Sequence, residues 1–362
     1  MSDSRWMGLA LEVAARGLGR TAPNPVVGAV IVRDGELLAE GFTQPPGQDH
    51  AEVHALRKLQ GVATGATMYV TLEPCCHYGR TPPCTDALIR AGIRRVVVGT
   101  IDPFPLVSGG GVQRLREAGI QVDVGLRERE CRRINLGFFR STLMGLPMVS
   151  LKAGMSLDGR IASDYGESRW ITGPAARQAA HQLRDRHDAI LVGIGTVVAD
   201  DPELTTRIPG GRDARPVVLD SRLRIPDGAK LLQRNPLIFC GEQAPERSLA
   251  AELVRLPLQQ DRLPMELVLR ELARRGYHRV LAEGGGQVHR SLVDAALVDV
   301  LEIFVNGRLL GGAAGVVSGP GFHLSSAPAF RFVSSAPVGE DLHLRLEADL
   351  DGRLPADYPS RG

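Results

Sequence analysis

The residues best placed to do chemistry lie between His50 and Cys84. His50-Ala51-Glu52 is followed, after an apolar run, by Glu73-Pro74-Cys75 and then Pro82-Pro83-Cys84. One imidazole and two thiolates hold zinc in three tetrahedral positions and leave the fourth for water, the donor set of a catalytic rather than a structural centre. Zinc lowers the pKa of a bound water from about 15.7 to near 7. At ~1.4 kcal/mol per pKa unit that is about 12 kcal/mol of easier deprotonation. Hydrolytic removal of an amine from a heterocycle also needs a proton carried from the attacking water to a ring nitrogen and on to the departing ammonia. Glu52 is the carboxylate available for that transfer.

The order H-x-E before P-C matches the zinc base-deaminase pattern, in which the glutamate is not a ligand. Spacing alone does not converge the groups, because residues two apart on a regular helix point to nearly opposite sides. His50 is therefore expected at the irregular first turn of a helix running through Val53, Leu56 and Leu59. Cys84 is expected to open another helix after Pro83, where the positive helix end favours a thiolate. A histidine beside a glutamate is commonly a solvated helix start, and cysteines are commonly buried small hydrophobes. The two prolines and the order of the motifs are what favour a metal site. Cys76, Cys131 and Cys240 have no such surroundings and are assigned to packing.

A chain of 362 residues with 43% hydrophobic residues supports two domains with a core each. Its 43 basic and 41 acidic residues are interspersed, giving a net charge of +2 without a Lys/Arg block. That argues against a nucleic-acid groove or a membrane surface. Five cysteines, an odd number, suggest reduced thiols in a cytoplasmic compartment. Residues 1–20 read as an amphipathic helix rather than a signal peptide, and no apolar run is long enough to span a bilayer.

The elements that must position the site alternate. Val26 to Phe42 reads as a hairpin around Asp34-Gly35. Helices are expected near His50–Gln60, Thr85–Ala91, Val112–Ala118 and Glu130–Thr142, with strands at Met68–Leu72 and Arg95–Thr100, an α/β layer pattern that leaves the zinc motifs at strand and helix ends. Gly145-Leu146-Pro147 breaks it, giving expected domains over residues 1–145 and 146–350 and a mobile tail over 351–362. The second half repeats the α/β theme with strands near Met148–Leu151, Ala189–Val192, Pro216–Leu219, Leu237–Cys240, Arg279–Ala282 and Val300–Val305, and no internal repeat links the halves.

Glu283-Gly284-Gly285-Gly286 separates a strand from an apolar helix through Leu292, Val293 and Leu297. Free amides at a helix start favour an anion, although a tight strand-to-helix turn explains the glycines equally well. The G-x-G-x-x-G fingerprint with its later acidic residue is missing, so a nicotinamide cofactor would need another scaffold. Lys152, Arg184 in a helix, and Arg207 after Asp200-Asp201-Pro202-Glu203-Leu204 are candidate phosphate or substrate contacts; arginine clamps phosphate through its planar fork. Trp170, one of two tryptophans, is either core or a cover for a cofactor.

With these motifs in order, from Pro23-Asn24-Pro25-Val26-Val27-Gly28 through His50-Ala51-Glu52, Cys75 to Cys84, Ser156-Leu157-Asp158-Gly159-Arg160 and Ala199-Asp200-Asp201-Pro202, the chain resembles the bifunctional deaminase-reductase family of riboflavin biosynthesis. The resemblance extends to about Leu346. It implies an α/β protein: an amino-terminal cytidine-deaminase-like α/β/α layer domain holding Zn2+, and a carboxy-terminal dihydrofolate-reductase-like α/β domain using NADPH. The implied substrate is a phosphorylated diaminopyrimidinone carrying a ribosylamino group, deaminated on the ring and then reduced from ribosyl to ribityl.

By the same resemblance, His50, Cys75 and Cys84 are metal ligands and Glu52 is catalytic, with Lys152 assisting proton transfer near the reacting carbon. Asn24 and His77 match pyrimidine contacts. Ser168, Arg184, Leu204, Arg207 and Glu283 match substrate contacts in the reductase, as Lys152 also does. Met155, Trp170, Thr172, Thr196, Asp200, Ser221, Gly284, Gly285 and Gly286 match cofactor contacts. Family members are commonly homo-oligomers.

Two positions depart from the family pattern: Thr43 stands where a histidine is usual, and Phe104 where the Asp-Pro-x-Pro segment usually has asparagine. Losing two hydrogen-bonding groups, each worth about 0.5–1.5 kcal/mol, costs roughly 5-fold to more than 100-fold in affinity. The expectation is a deaminase pocket that takes the usual pyrimidine through altered contacts, is redirected to a related heterocyclic amine, or is silenced. A zinc-pinned interaction scaffold is the competing reading from another class, and it leaves Glu52 without a task.

Overall fold

The computed structural model describes residues 2–79, 81–349 and 351–355. The chain divides into two compact units, one running to Met144 and including Leu354, the other Gly145–Arg353. Among the described residues no helix is long and apolar enough to cross a membrane.

The first unit is built from α1 (Asp3–Ala15), β1 (Gly28–Arg33), β2 (Glu36–Phe42), α2 (Ala51–Arg57), β3 (Thr67–Val70), α3 (Cys84–Arg90), β4 (Arg95–Val98), α4 (Gly110–Glu117), β5 (Gln121–Val124), α5 (Glu128–Ile134) and α6 (Leu136–Met144). Its sheet has the order β2-β1-β3-β4-β5. The hairpin β1/β2 and the pair β1/β3 are antiparallel, and β3, β4 and β5 run parallel. Asp34 and Gly35 both have positive φ, at 53° and 80°, as a two-residue hairpin turn requires.

Two glycines set how closely the helices sit. A Cβ on Gly28 would lie 2.0 Å from Ala10 O in α1, and one on Gly41 would lie 2.3 Å from Ala51 O and 2.5 Å from Ala55 N in α2. Gly41 pairs with Ala29, the neighbour of Gly28, and successive strand residues face opposite ways. α1 and α2 therefore cover opposite faces, each in backbone contact with the sheet. The apolar alternation in β1 fills both layers: Ala29 and Ile31 belong to one core with Leu56, Met68 and Leu88, and Val30 and Val32 to the other with Trp6, Met7 and Tyr69.

The single helix expected over Glu130–Thr142 is two helices, broken at Asn135, which has φ −100° and ψ 12°. Its buried side chain accepts from Val26 N and donates to Val26 O, both at 2.8 Å. This long-range bidentate bond satisfies the chain just before β1 and has no local sequence signal.

The second unit comprises β6 (Met148–Ser156), α7 (Pro174–Asp185), β7 (Ala189–Gly193), α8 (Ile194–Asp200), β8 (Arg215–Leu219), β9 (Leu237–Gly241), β10 (Glu252–Leu256), α9 (Met265–Arg274), β11 (Arg279–Ala282), α10 (Gly286–Asp294), β12 (Val300–Asn306), β13 (Arg331–Val338) and β14 (Asp341–Glu347). They form one sheet in the order β10-β9-β8-β7-β11-β6-β12-β14-β13. It is parallel from β10 to β12, and β14 and β13 are added antiparallel. The apolar runs read as strands in the sequence are its buried central members. β13, at the edge and exposed along most of its length, lacks such a run and contains Pro337, so nothing in its sequence marks it. The stretch expected to be a tail starts with a 3-10 turn, Asp351–Arg353, in which Arg353 reaches Asp299 at 3.3 Å; residues 356–362 lie outside the described residues.

His187 fixes the end of α7 against β6. Its Nδ1–H donates to Leu183 O at 2.7 Å and its Nε2 accepts from the Ser150 hydroxyl at 2.9 Å. Burial pushes this imidazole down to about 3, so it is neutral in the fold while the unfolded chain takes up a proton below about pH 6.5. The stability it contributes is complete above the unfolded pKa and is lost as pH falls toward the folded one.

Two predictions follow from this packing. Gly41→Ala forces α2 off the sheet, costing about 1–3 kcal/mol and lowering metal content after purification; unchanged metal content and unfolding midpoint would show that α2 has slack. Between pH 7 and pH 5 the wild type loses about 2 kcal/mol through His187. In urea titrations His187→Gln removes that share of the pH dependence, and equal pH dependence in both proteins refutes the assignment.

Candidate active sites

In the first unit, β2 leads to His50, the extended residue (φ −70°, ψ 163°) immediately before α2, and Cys84 is the first residue of α3 after Pro83. The irregular helix start is what lets His50 and Glu52 point to one place. His50 Nδ1 lies 3.6 Å from Cys75 Sγ and 3.3 Å from Cys84 Sγ. The three donor atoms all lie within 4.8 Å of one another, with Cys84 buried and the other two half-buried. Such soft donors at mutual contact fit zinc.

The sulfurs are unequal. The helix-start amide of Cys84 donates to Cys75 Sγ at 3.3 Å, so the beneficiary of the helix end is Cys75 and not, as expected, Cys84. The Cys84 thiol, donating to Cys75, and the neighbouring His50 hold Cys75 down to about 4 against its burial, while Cys84 is raised as the donor of the pair. Thiols that share one proton are poised to exchange it for a cation. Glu52, 3% exposed, is pushed up to about 7 by burial first and then by the Cys75 thiolate. A carboxyl poised near neutrality can both take and return a proton.

Glu73 and Asp102 are site residues that the sequence did not reveal. Glu73 is 3% exposed, and its carboxylate accepts the amides of Asp102 (3.2 Å), Gly109 (2.9 Å) and Val112 (3.0 Å). It thereby ties the segment 102–112 to the end of β3, beside Cys75. Asp102 accepts Phe104 N at 2.8 Å, and burial pushes it up to about 7. Only the proximity of Glu73 to Pro74-Cys75 was visible beforehand, because its partners are about 30 to 40 residues away.

Of the other deaminase candidates, His77 and Phe104 meet, their ring centroids 6.0 Å apart. Asn24 sits in the turn before β1, its backbone amide bonded to Thr21 O. Thr43 is buried and its hydroxyl oxygen accepts Val27 N at 3.2 Å, so this departure from the family pattern serves the backbone. Cys131 and Cys240 are core residues, and Cys76 Sγ lies 3.8 Å from Leu106 O.

In the second unit a cavity of about 1250 Å³ opens along the carboxyl ends of the parallel strands. It gathers Lys152 from β6, Ser168, Trp170 and Thr172 from the segment before α7, Arg184 from α7, Thr196 and Asp200 from α8, and Leu204, Arg207, Ser221 and Glu283 to Gly286 from the connections. Met155 is not in its wall and packs instead against the core formed by Leu151, Val280 and Ile303.

Arg184 and Glu283 form a two-pronged pair, Nε to Oε1 and Nη2 to Oε2 at 2.8 Å each, and Arg184 Nη1 donates to Thr205 O. The Lys152 ammonium adds a third contact at 3.5 Å. Burial alone would raise the Glu283 carboxyl, but Arg184 and Lys152 overrule it and hold it well below the usual carboxylate range. The arginine expected to clamp a phosphate is thus already engaged, and Arg207, 55% exposed along its side chain and bound to its near neighbours Glu203 and Thr205, is freer.

The glycine turn divides between packing and access. A Cβ on Gly284 would press on Val288 and one on Gly286 would strike Ser318 Oγ at 2.2 Å, whereas Gly285 has nothing nearer than Thr196 Oγ1 at 3.9 Å. Two of the three glycines are therefore required by the fold, and Gly285 alone leaves room for a ligand. Trp170 is 60% exposed at the cavity, with the Arg177 guanidinium 4.3 Å from its ring centroid. It is not a core residue.

Comparison with known proteins gives each unit a family match. The RibD C-terminal domain model matches residues 147–344, and the cytidine and deoxycytidylate deaminase zinc-binding region model matches residues 1–100. The riboflavin biosynthesis protein RibD of Escherichia coli K12 is 41% identical, over 96% of this chain and 99% of its own. That of Bacillus amyloliquefaciens is also 41% identical, over 94% and 95%. Among solved structures, Acinetobacter baumannii RibD, form 1, superposes with a TM-score of 0.86 at 39% identity, covering 95% of this chain and 98% of that one. A Thermotoga maritima diaminohydroxyphosphoribosylaminopyrimidine deaminase/5-amino-6-(5-phosphoribosylamino)uracil reductase reaches 0.86 at 37% identity with the same coverage. A zinc-type donor cluster beside a buried glutamate in one unit, a strand-end cavity in the other, and similarity to these relatives along nearly the whole length together establish that the chain belongs to the RibD family of bifunctional deaminase-reductases.

Proposed function

We propose that the chain catalyses two consecutive steps of riboflavin biosynthesis. The first unit deaminates the phosphorylated diaminopyrimidine named for the Thermotoga relative, and the second reduces the ribosylamino group of the product to ribitylamino. The observation that carries the reading is the buried Glu52 immediately beside the His50, Cys75 and Cys84 donors.

Zinc held by those three residues supplies the Lewis acidity that makes water a nucleophile near neutral pH. Glu52 takes the proton of the attacking water and returns it to the ring nitrogen; with a second proton transfer the exocyclic amine leaves as ammonia and the ring carbon keeps the oxygen. Glu73 holds the segment 102–112 in place, and Phe104 in that segment meets His77. His77 and Asn24 are proposed to contact the heterocycle.

NADPH supplies the hydride for the second step. Lys152, held 3.5 Å from Glu283, is proposed to assist proton transfer beside the reacting carbon, and Ser168, Arg184, Leu204, Arg207 and Glu283 are proposed to hold the substrate. Met155, Trp170, Thr172, Thr196, Asp200, Ser221 and the turn Gly284 to Gly286 are proposed on the cofactor side. For Met155 the support is its position on β6 alone. A redirected deaminase is the second reading, favoured by Phe104, whose ring meets His77 and cannot accept or donate as an asparagine would.

Mass spectrometry of the phosphorylated diaminopyrimidine incubated with zinc-loaded protein tests both readings. The proposal expects an amine replaced by oxygen, then a gain of two hydrogens only with NADPH; reduction of the pre-deaminated compound without any deamination leaves the redirected or silenced pocket. Glu52→Gln lowers deamination by about 10²- to 10⁴-fold while metal content and the reduction step persist. Chelation of zinc likewise abolishes the first step and spares the second, and loss of both on chelation contradicts the division of labour.

A further inference from the structure

We propose that Arg222 and Arg262 bind the 2′-phosphate of NADPH and thereby set the preference for NADPH over NADH. This rests on the reductase reading above and names residues that the family motifs do not reach.

The sheet gives the direction. β6, β11, β7 and β8 are consecutive neighbours, and they present Lys152, Glu283, the start of α8 and Ser221 in turn along the cavity. Three strand spacings of about 4.8 Å separate the Lys152 end from the Ser221 end, roughly 14 Å. The reacting sugar and the hydride-donating ring must meet beside Lys152. A dinucleotide laid across the strand ends past Thr196 and Gly285 therefore carries its adenosine to the exit of β8, where Arg222 follows Ser221.

Charge at that exit is left over. Arg222, Arg224, Lys230 and Arg262 all line it. Lys230 is taken by Asp201, which accepts both its backbone amide at 2.9 Å and its ammonium at 3.4 Å. Arg224 stands 4.0 Å from the buried Asp220. Among the described residues Arg222 reaches only Asp261, at 3.9 Å, with the two side chains 72% and 86% exposed. Arg262 makes no ion pair among the described residues. A loose contact between two exposed side chains stabilises little and gives way to a dianion.

The backbone also aims Arg262. Gln259 and Arg262 exchange N–H to O bonds at 2.9 Å both ways, closing a two-residue turn through Gln260 and Asp261. Those residues have φ of 49° and 60°, a conformation such turns normally give to Asn or Gly. The turn sets Arg262 next to Asp261, which reaches Arg222, along the cavity lining. Two guanidinium forks then meet the three terminal oxygens of a phosphate ester, the geometry for which arginine is suited.

The test is calorimetric binding of NADPH, NADH, 2′,5′-ADP and 5′-AMP to the full-length protein and to Arg222→Ala, Arg262→Ala, the double variant and Arg222→Lys. Each alanine variant is expected to weaken NADPH and 2′,5′-ADP about 10-fold, with NADH and 5′-AMP unchanged within about 2-fold. The lysine variant keeps part of the preference. Both residues are exposed on the rim, so the variants fold, and unchanged urea midpoints verify it. An unaltered NADPH-to-NADH ratio, or equal weakening of both cofactors, overturns the assignment. Absence of any preference for NADPH in the wild type counts instead against the NADPH-dependent reading on which it rests.

Discussion

A carboxylate buried at the carboxyl end of a central strand must be hydrogen-bonded or paired, because leaving it unpartnered in the interior costs several kcal/mol. Each unit has such a group at its candidate site, and the arrangement around it answers that requirement. Glu73, just past β3, is satisfied by three backbone amides of the segment 102–112, so the carboxylate fixes a loop. Glu283, just past β11, is satisfied by Arg184 and Lys152, so the carboxylate fixes two cations from two other elements. The same problem at equivalent places in two sheets is answered with dipoles in one and charges in the other. The walls of the two sites differ accordingly: apolar and aromatic near His77 and Phe104, cationic near Lys152 and Arg207.

What was legible in the sequence follows from where the information is stored. Residues that act on neighbours in sequence announced themselves: Asp34-Gly35 as a turn, Pro83 before a helix, apolar runs such as Ala189 to Val192 as buried strands. The metal donors were legible because their chemistry restricts residue type. Asn135 and Glu73 were not, since each serves backbone groups far away in the chain and looks locally like a helix residue and a spacer. β13 escaped for a different reason: an exposed edge strand carries no hydrophobic pattern, whereas the alternation Leu342, Leu344, Leu346 in β14 was there to be read and was missed. That the Thr43 hydroxyl accepts the Val27 amide was likewise invisible, because a change of side chain does not show which group the new one meets.

The glycine turn shows why a motif alone gives the wrong weight to a ligand. Gly284 and Gly286 are excluded from bearing a Cβ by Val288 and by Ser318, which are protein neighbours. From the sequence, phosphate binding and a tight strand-to-helix turn explained the three glycines equally well. The structure moves most of that constraint onto packing of α10 against its own first turn and against the segment around Gly315, and leaves the cofactor argument to Gly285 and to the cations at the β8 exit.

Glu52 and Glu283 are both buried glutamates, yet their surroundings send them in opposite directions. Burial first and then the Cys75 thiolate push the Glu52 carboxyl up to about 7, against the pull of His50. Glu283 has a guanidinium and an ammonium in contact and stays ionised. Environment, not residue type, separates a proton carrier from a fixed charge. Deamination needs a group that gains and loses a proton within one turnover; holding Arg184 and Lys152 at the reducing end needs a group that never does. Exchanging the two environments would leave the first site with a carboxylate that cannot return its proton, and the second with cations no longer held at the cavity.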